Sequence, residues 1–248
     1  MRITVYVRMY KNIRISTYYA QAMILAVQTE SMGSARLDNS TRHVLLVEDE
    51  PLLRDLIAKS IEASGFVVTT AANATDAKRA IKSVDPDALV VDIELGPGPS
   101  GLDLAEVISR QRPDIGVVFL TNLPDPRFGQ GEPKKVTKNQ AYIRKGAIES
   151  TSELVEALEA VLRDRVTKEY RHDLSSNRPL ANLSQRQIAT LRLVAEGKTN
   201  QQIAEIRGTS TRAVESMLSR IFEELGIDPK GSNPRVEASR KFHKLSAG

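Results

Sequence analysis

The sequence predicts a doubly wound parallel α/β domain followed by an all-α helix-turn-helix domain. Three observations predict it. Five short apolar runs rich in β-formers alternate with helix-patterned segments between residues 43 and 163; acidic, hydroxyl and lysine residues stand just past the ends of those runs; and beyond a polar break only helical spacing remains. At 248 residues the chain is long enough for two domains, each with a core of its own.

Residues 43–47 (HVLLV) end abruptly in acids, as a buried parallel strand does. Residues 52–64 have helical spacing, with Leu53, Leu56, Ile57 and Ile61 on one face and Gly65 as the stop. A second strand (66–70) and helix (74–83) follow, then a third strand, ALVV at 88–91, which enters Asp92. A helix at 102–111, a strand at 117–120 (VVFL) and a short fifth strand at 141–143 come next. The helix at 152–163 closes the unit, with Leu154, Val155, Leu158, Val161 and Leu162 facing in. Strands alternating with helices at this spacing imply a parallel sheet whose ligand site lies at the carboxyl ends of the strands.

From 163 to 182 the pattern breaks into a charged stretch containing Ser, Asn and Pro, which reads as a linker. Ser184 then caps a helix that runs to Glu196 before Gly197; residues 200–206 form a short helix and 211–225 a longer one ended by Gly226. The turn at 207–210 joins the last two as a helix-turn-helix, and a final helix is expected at 235–245. The expected division is an N-terminal arm (1–40), the α/β domain (41–164), a linker (165–182) and the helical domain (183–248).

The net charge of +4 hides an asymmetry. Residues 42–164 hold 15 basic and 20 acidic residues, net −5; residues 175–248 hold 12 and 7, net +5. Only the second half is therefore suited to a polyanion. The absence of cysteine excludes a disulfide framework, a thiolate zinc site and a thiol nucleophile, and fits a reducing cytoplasm. The first forty residues carry four of the six tyrosines and a short apolar run at 20–27, far below the roughly 20 residues of a membrane span. They read as a flexible arm and match a secretory signal poorly, with Met23 and Met32 as alternative starts.

Glu48 and Asp49 end the first strand and Asp92 the third, so three carboxylates from distant sequence meet at one sheet edge. Clustered carboxylates raise one another's pKa unless a cation neutralises them, and an all-oxygen site of this kind suits Mg²⁺. Thr121 follows the fourth strand and Lys145 the fifth. A carboxylate nucleophile, a metal, a lysine and a hydroxyl donor together make an acceptor for a phosphoryl group. Singly, each residue has a plain structural explanation as a helix-terminal charge, a turn residue or a solvated loop; their joint placement after strands one, three, four and five argues for a site. A phosphohydrolase of the haloacid-dehalogenase kind wants a second aspartate two residues after the nucleophile, and position 94 is Glu.

These segments resemble the receiver domain of two-component response regulators, a flavodoxin-like fold, in VLLVEDEP (44–51), ALVVDIELGPGPSG (88–101), VVFLTN (117–122) and YIRKG (142–146). The resemblance implies that Asp92 takes a phosphoryl group from a sensor histidine kinase or phosphotransfer protein. It also implies that Glu48, Asp49, Asp92 and the backbone carbonyl of Glu94 hold Mg²⁺, and that Thr121 and Tyr142 form a switch pair in which the hydroxyl swings to the phosphate and the ring rotates inward. Three local departures are Asn122 in place of a small residue, Gly146 in place of proline, and a loop from Asp92 to Gly101 that is longer than usual by one residue. A larger one is residues 123–140, where the family has a helix and this chain has three prolines, two glycines and a Lys-Lys pair, which disfavour one.

The second domain resembles the LuxR-type helix-turn-helix, in LSQRQIATLRLVAEGKTNQQIA (183–204) and STRAVESMLSRIFEELGI (210–227). Leu183, Ile188, Leu191, Val194, Ile203, Ala204, Val214, Leu218, Ile221 and Leu225 are expected to be core. By resemblance the 211–225 helix lies in the major groove of double-stranded DNA, where Thr211, Arg212, Glu215, Ser216 and Arg220 reach bases or phosphates. Lys198, Thr199, Asn200 and Gln201 open the preceding helix toward phosphates. Glu215, Ala213 and Met217 depart from the residues usual there, so sequence preference is not inherited. The expectation is a cytoplasmic, phosphorylation-controlled transcription regulator, not a metabolic enzyme and with no membrane partner, that binds DNA as a homodimer because one module makes too few contacts. The alternative is a receiver acting as an adaptor or phosphate sink whose output is protein binding or independent of phosphorylation.

Overall fold

Each of the five apolar runs becomes a strand in the computed structural model, which describes residues 42–129, 134–175, 180–228 and 233–246. The expected N-terminal arm lies outside the described residues. The first unit runs β1 (His43–Val47), α1 (Pro51–Ala63), β2 (Val67–Ala71), α2 (Ala74–Val84), β3 (Ala88–Val91), α3 (Gly101–Gln111), β4 (Gly116–Thr121), β5 (Gln140–Arg144) and α4 (Thr151–Leu162). The strands are all parallel in the order β2-β1-β3-β4-β5, so connections wind outward in both directions from β1.

Continuous apolar strands are buried on both faces, and alternate residues divide between two cores. Val44, Leu46, Val90, Val118 and Ile143 pack with Ile61 of α1 and Leu154, Leu158 and Val161 of α4. Leu45, Val47, Leu89, Val91 and Phe119 face the other way, onto Ala77 of α2 and Leu104, Ala105 and Ile108 of α3. The ladder of β2 begins where Val67 N–H donates to the Arg42 carbonyl at 3.0 Å, one residue later than apolar patterning places it.

The second unit runs α5 (Gln185–Ala195), α6 (Asn200–Arg207), α7 (Thr211–Glu224) and α8 (Pro234–Ser246). Ser184 and Gln187 form a capping box on α5, as do Thr199 and Gln202 on α6, and Ser210 caps α7. The ten residues expected to be core are all buried.

Two segments differ from a plain reading of composition. The start of the presumed linker is folded onto β5, where Arg171 bridges Tyr142 in parallel register and Arg144 N–H donates to His172 Nδ1 at 3.1 Å. Arg171 is held by Asp173 at 2.8 Å and by the carbonyl of Thr137 at 3.0 Å. The physical reason is that β5 is an edge strand with unpaired backbone groups, which this segment covers. The described part of 123–140 contains a 3₁₀ turn, Pro126–Phe128, where the prolines forbid a longer helix. Lys134 anchors its far end to α3, 2.9 Å from Asp103 and paired with Glu106.

Candidate functional site

Backbone pairing brings the acids together. Glu48 N–H donates to the Ala71 carbonyl at 3.1 Å and Asp92 N–H to the Val47 carbonyl at 2.9 Å, which extends the β1 and β3 ladders one step past the strands and fixes both residues at the same edge. Glu48, Asp49 and Asp92 each offer a carboxylate oxygen within 4.8 Å of the others. Lys145, opening a short turn after β5, donates to Glu48 Oε2 at 2.6 Å and to Asp92 Oδ2 at 2.7 Å. The other Asp92 oxygen accepts from Glu94 N–H at 3.2 Å. Arg54 of α1, unnoticed in the sequence, pins the carbonyl of Glu48 at 2.6 Å.

One ammonium faces three carboxylates, two of them buried. Burial pushes the Glu48 carboxyl up from 4.5 to about 7, with Lys145 opposing and Asp92 and Asp49 adding to the rise. For Lys145 burial works downward, but Asp92 and Glu48 outweigh it and raise its pKa. The two directions agree once the lysine is seen as shared: its single charge is divided between two carboxylates and does not offset the burial of Glu48. An oxygen-only donor set with this excess of negative charge fits a divalent cation of the Mg²⁺ kind.

A pH dependence follows. In the metal-free protein the folded state keeps the Glu48 proton longer than the unfolded chain does, so stability from this group falls as pH rises from 4.5 to about 7. A Mg²⁺ ion held by these oxygens would have to displace that proton. Its apparent affinity is expected to climb by up to about tenfold per pH unit below 7 and to level off above it. Calorimetric Mg²⁺ titrations in buffers of different ionisation heat check this; an affinity flat from pH 5.5 to 7.5 would tell against a protonated Glu48.

Thr121 is fully buried at the end of β4, its hydroxyl accepting from Leu123 N–H at 3.3 Å, which leaves the O–H free to donate elsewhere. Tyr142 is also fully buried, its ring centroid 6.3 Å from that of Phe119 and its hydroxyl donating to the Leu123 carbonyl at 2.9 Å. The inward position expected of the ring after switching is thus the one it already holds. Glu94 lies exposed in the loop after β3.

On the helical unit, Thr211, Arg212, Glu215, Ser216 and Arg220 share an exposed face of α7. Gln201 is exposed on α6. Thr199 is occupied as the cap of α6, and Asn200 Oδ1 and the Lys198 carbonyl accept from Arg235 of α8, the former at 2.7 Å. Lys198, Thr199 and Asn200 therefore hold the fold together whatever else they do. Arg235 was not singled out from sequence because a lone arginine at a helix start gives no periodic signal.

A model of the response regulator receiver domain matches residues 44–130, and one of the bacterial regulatory proteins of the luxR family matches residues 181–230. The oxygen regulatory protein NreC of Staphylococcus haemolyticus is 28% identical over 178 residues, 66% of this chain and 81% of its own length. The transcriptional regulatory protein LiaR of Bacillus subtilis is 26% identical over 195 residues, covering 75% and 92%. Among solved structures, RcsB from Salmonella enterica serovar Typhimurium, bound to promoter rprA with the phosphomimetic BeF₃⁻, superposes with a TM-score of 0.51 at 20% identity. That match covers 81% of this chain and 99% of the other, and supports the two-domain fold. No helix among the described residues is long and apolar enough to cross a membrane.

Proposed function

We propose, for a chain that belongs to the DNA-binding response regulators and joins a receiver domain to a LuxR-type domain, that Asp92 is the phosphoryl acceptor whose modification controls transcription. The observation that carries this is Lys145 bridging Asp92 and Glu48, with Asp49 alongside. A carboxylate oxygen of Asp92 forms the new bond to phosphorus as the bond from phosphorus to the donor's nitrogen or oxygen breaks. The electron pair departs with the donor, a sensor histidine kinase or phosphotransfer protein. Lys145 holds a phosphate oxygen by charge, and Thr121 donates its O–H to another. Glu48, Asp49, Asp92 and the carbonyl of Glu94 would hold Mg²⁺, which supplies further positive charge at the transferring group. Residues 41–164 are the receiver and 183–248 the DNA-binding domain. The chain works in the cytoplasm, which its lack of cysteine suits, and its output is DNA binding rather than catalysis.

Intact mass after incubation with acetyl phosphate and Mg²⁺ tests this. A phosphoryl adduct is expected on the wild type and none on Asp92→Asn; an adduct on both moves the acceptor elsewhere.

For DNA, Thr211, Arg212, Glu215, Ser216 and Arg220 would meet the major groove, and Lys198, Thr199, Asn200 and Gln201 the backbone, with a homodimer spanning two half-sites. Arg212→Ala is expected to weaken binding by about tenfold and to flatten its salt dependence, as fluorescence anisotropy across a salt series would show. Binding to no duplex at any salt would favour the adaptor reading.

A further inference from the structure

We propose that the turn after β4, residues 123–129, is a docking surface for the helix-turn-helix domain of the same chain, and that Leu123 ties this dock to the acceptor site. The link to phosphorylation rests on Asp92 being the acceptor; the dock itself does not.

The turn is poor in regular backbone structure but densely fixed by side chains. Asp125, 1% exposed, accepts from Arg127 N–H at 2.9 Å, and its two oxygens take the Arg127 guanidinium at 2.9 and 2.6 Å. The remaining guanidinium nitrogen reaches across to the carbonyls of Leu183 and, at 3.2 Å, Leu180, which lead into α5. This is a planar fork used on two sides at once. Leu180 holds φ at +55°, a left-handed conformation unusual for leucine, at a carbonyl that Arg127 grips. In return Arg192 of α5 donates to the Arg127 carbonyl at 3.1 Å. Next along the chain, Phe128 stacks on Phe242 of α8 with centroids 5.6 Å apart, the rings 4% and 5% exposed. Through these rings the core of the α2/α3 face runs without a break into the core of the helical domain.

At its other end the turn is held by both residues of the expected switch pair. Leu123 gives its N–H to Thr121 and its carbonyl to Tyr142. A threonine hydroxyl drawn toward a phosphoryl group on Asp92 releases the first of these bonds, two residues before the Asp125–Arg127 pair. The docked elements are α5 and α8, whereas Thr211, Arg212, Glu215, Ser216 and Arg220 of α7 stay exposed. The dock therefore does not act by covering the groove-reading face. It sets where that face points relative to the receiver.

The chain has no tryptophan, so Phe242→Trp in the full-length protein gives a single reporter that keeps the aromatic stack. Its emission is expected to be blue-shifted and resistant to acrylamide. Arg127→Ala or Phe128→Ala in that background should shift it to the red and raise quenching about twofold, and Tyr142→Phe, which removes only the bond to Leu123, should move it part of the way. Emission in Arg127→Ala and Phe128→Ala unchanged from that of the Phe242→Trp parent overturns the dock, and an unmoved Tyr142→Phe overturns the tie through Leu123. If the reporter variant fails to fold, hydrogen exchange of residues 234–246 reads the same dock in the otherwise native chain against Arg127→Ala, where faster exchange is expected and equal exchange overturns it. Acetyl phosphate with Mg²⁺, followed by intact mass in the same samples, separates the two readings. An adduct with an unmoved reporter overturns the link to phosphorylation, whereas no adduct on the wild type counts against Asp92 as acceptor and leaves the dock, read on unmodified protein, standing.

Discussion

Lys145→Met is expected to destabilise the metal-free protein by about 3 kcal/mol at pH 8 and to abolish phosphoryl transfer. Its side chain is 9% exposed and its ammonium touches the buried carboxyls of Glu48 and Asp92, so its removal leaves two buried acids without a counter-charge. Breaking such a group from one side costs more than the pair itself contributes, because the uncompensated charge remains. The sign of the pH dependence separates this from lost packing. Without the lysine, burial raises the Glu48 pKa beyond its present value of about 7, since the opposing attraction is gone. A carboxyl whose pKa is raised in the folded state contributes most below pH 4.5 and loses that contribution as pH rises through the folded value. The deficit of Lys145→Met against wild type should therefore be small at pH 5 and full at pH 8. Mg²⁺ should recover much of it at pH 8, since a divalent cation neutralises the same oxygens. Urea denaturation at both pH values, with and without Mg²⁺, measures all three quantities. A deficit independent of pH and of Mg²⁺ would mean that the lysine stem, not its charge, is what the fold needs.

How far the sequence disclosed this molecule depends on the kind of signal each part carries. The strands were legible because HVLLV, ALVV and VVFL are continuous apolar runs that only a buried strand satisfies. That Asp92, Glu48, Asp49, Thr121 and Lys145 share one edge was legible because each stands within two residues of a strand's end, and the parallel order brings those ends together. The start of α5 was legible from Ser184, whose cap the structure contains, whereas the caps that Thr199 and Ser210 place on α6 and α7 emerged only with the fold. What stayed hidden lacks period. Arg127 and Phe128 sit among prolines and glycines, where no spacing tells a docked turn from a solvated loop. Arg171 and Asp173 read as one more charged pair in a linker, although their partner is an edge strand nearly thirty residues earlier. Arg54 and Arg235 act on main-chain carbonyls, which no side-chain pattern reveals. Composition gives the sum of charge in such stretches, and only the fold decides which charges are buried.

Gly101→Ala is expected to lower stability by about 2–3 kcal/mol and to slow labelling of Asp92 by about a hundredfold. Gly101 opens α3, and a Cβ there would stand 2.0 Å from the Asp92 carbonyl oxygen and 2.8 Å from the Asp92 carbonyl carbon and Val91 Cγ2. Two of these neighbours are backbone at the end of a central strand buried on both faces, so relief requires α3 to move away from β3 by about an ångström. That movement breaks the bond from Gly101 N–H to the Ile93 carbonyl, 3.0 Å, and shifts the segment that aims Asp92 at Lys145. Stability and chemistry should therefore fail together. Gly98→Ala in the same loop is the contrast: its φ of +121° makes alanine strained, but a Cβ there meets nothing within 4 Å. It should cost about 1–2 kcal/mol and leave the labelling rate near that of the wild type. Thermal unfolding and the time course of acetyl phosphate labelling distinguish the pair. Should Gly101→Ala label as fast as Gly98→Ala, the close approach of α3 to the acceptor would be dispensable, and the position of Asp92 would be set by the β1–β3 ladder alone.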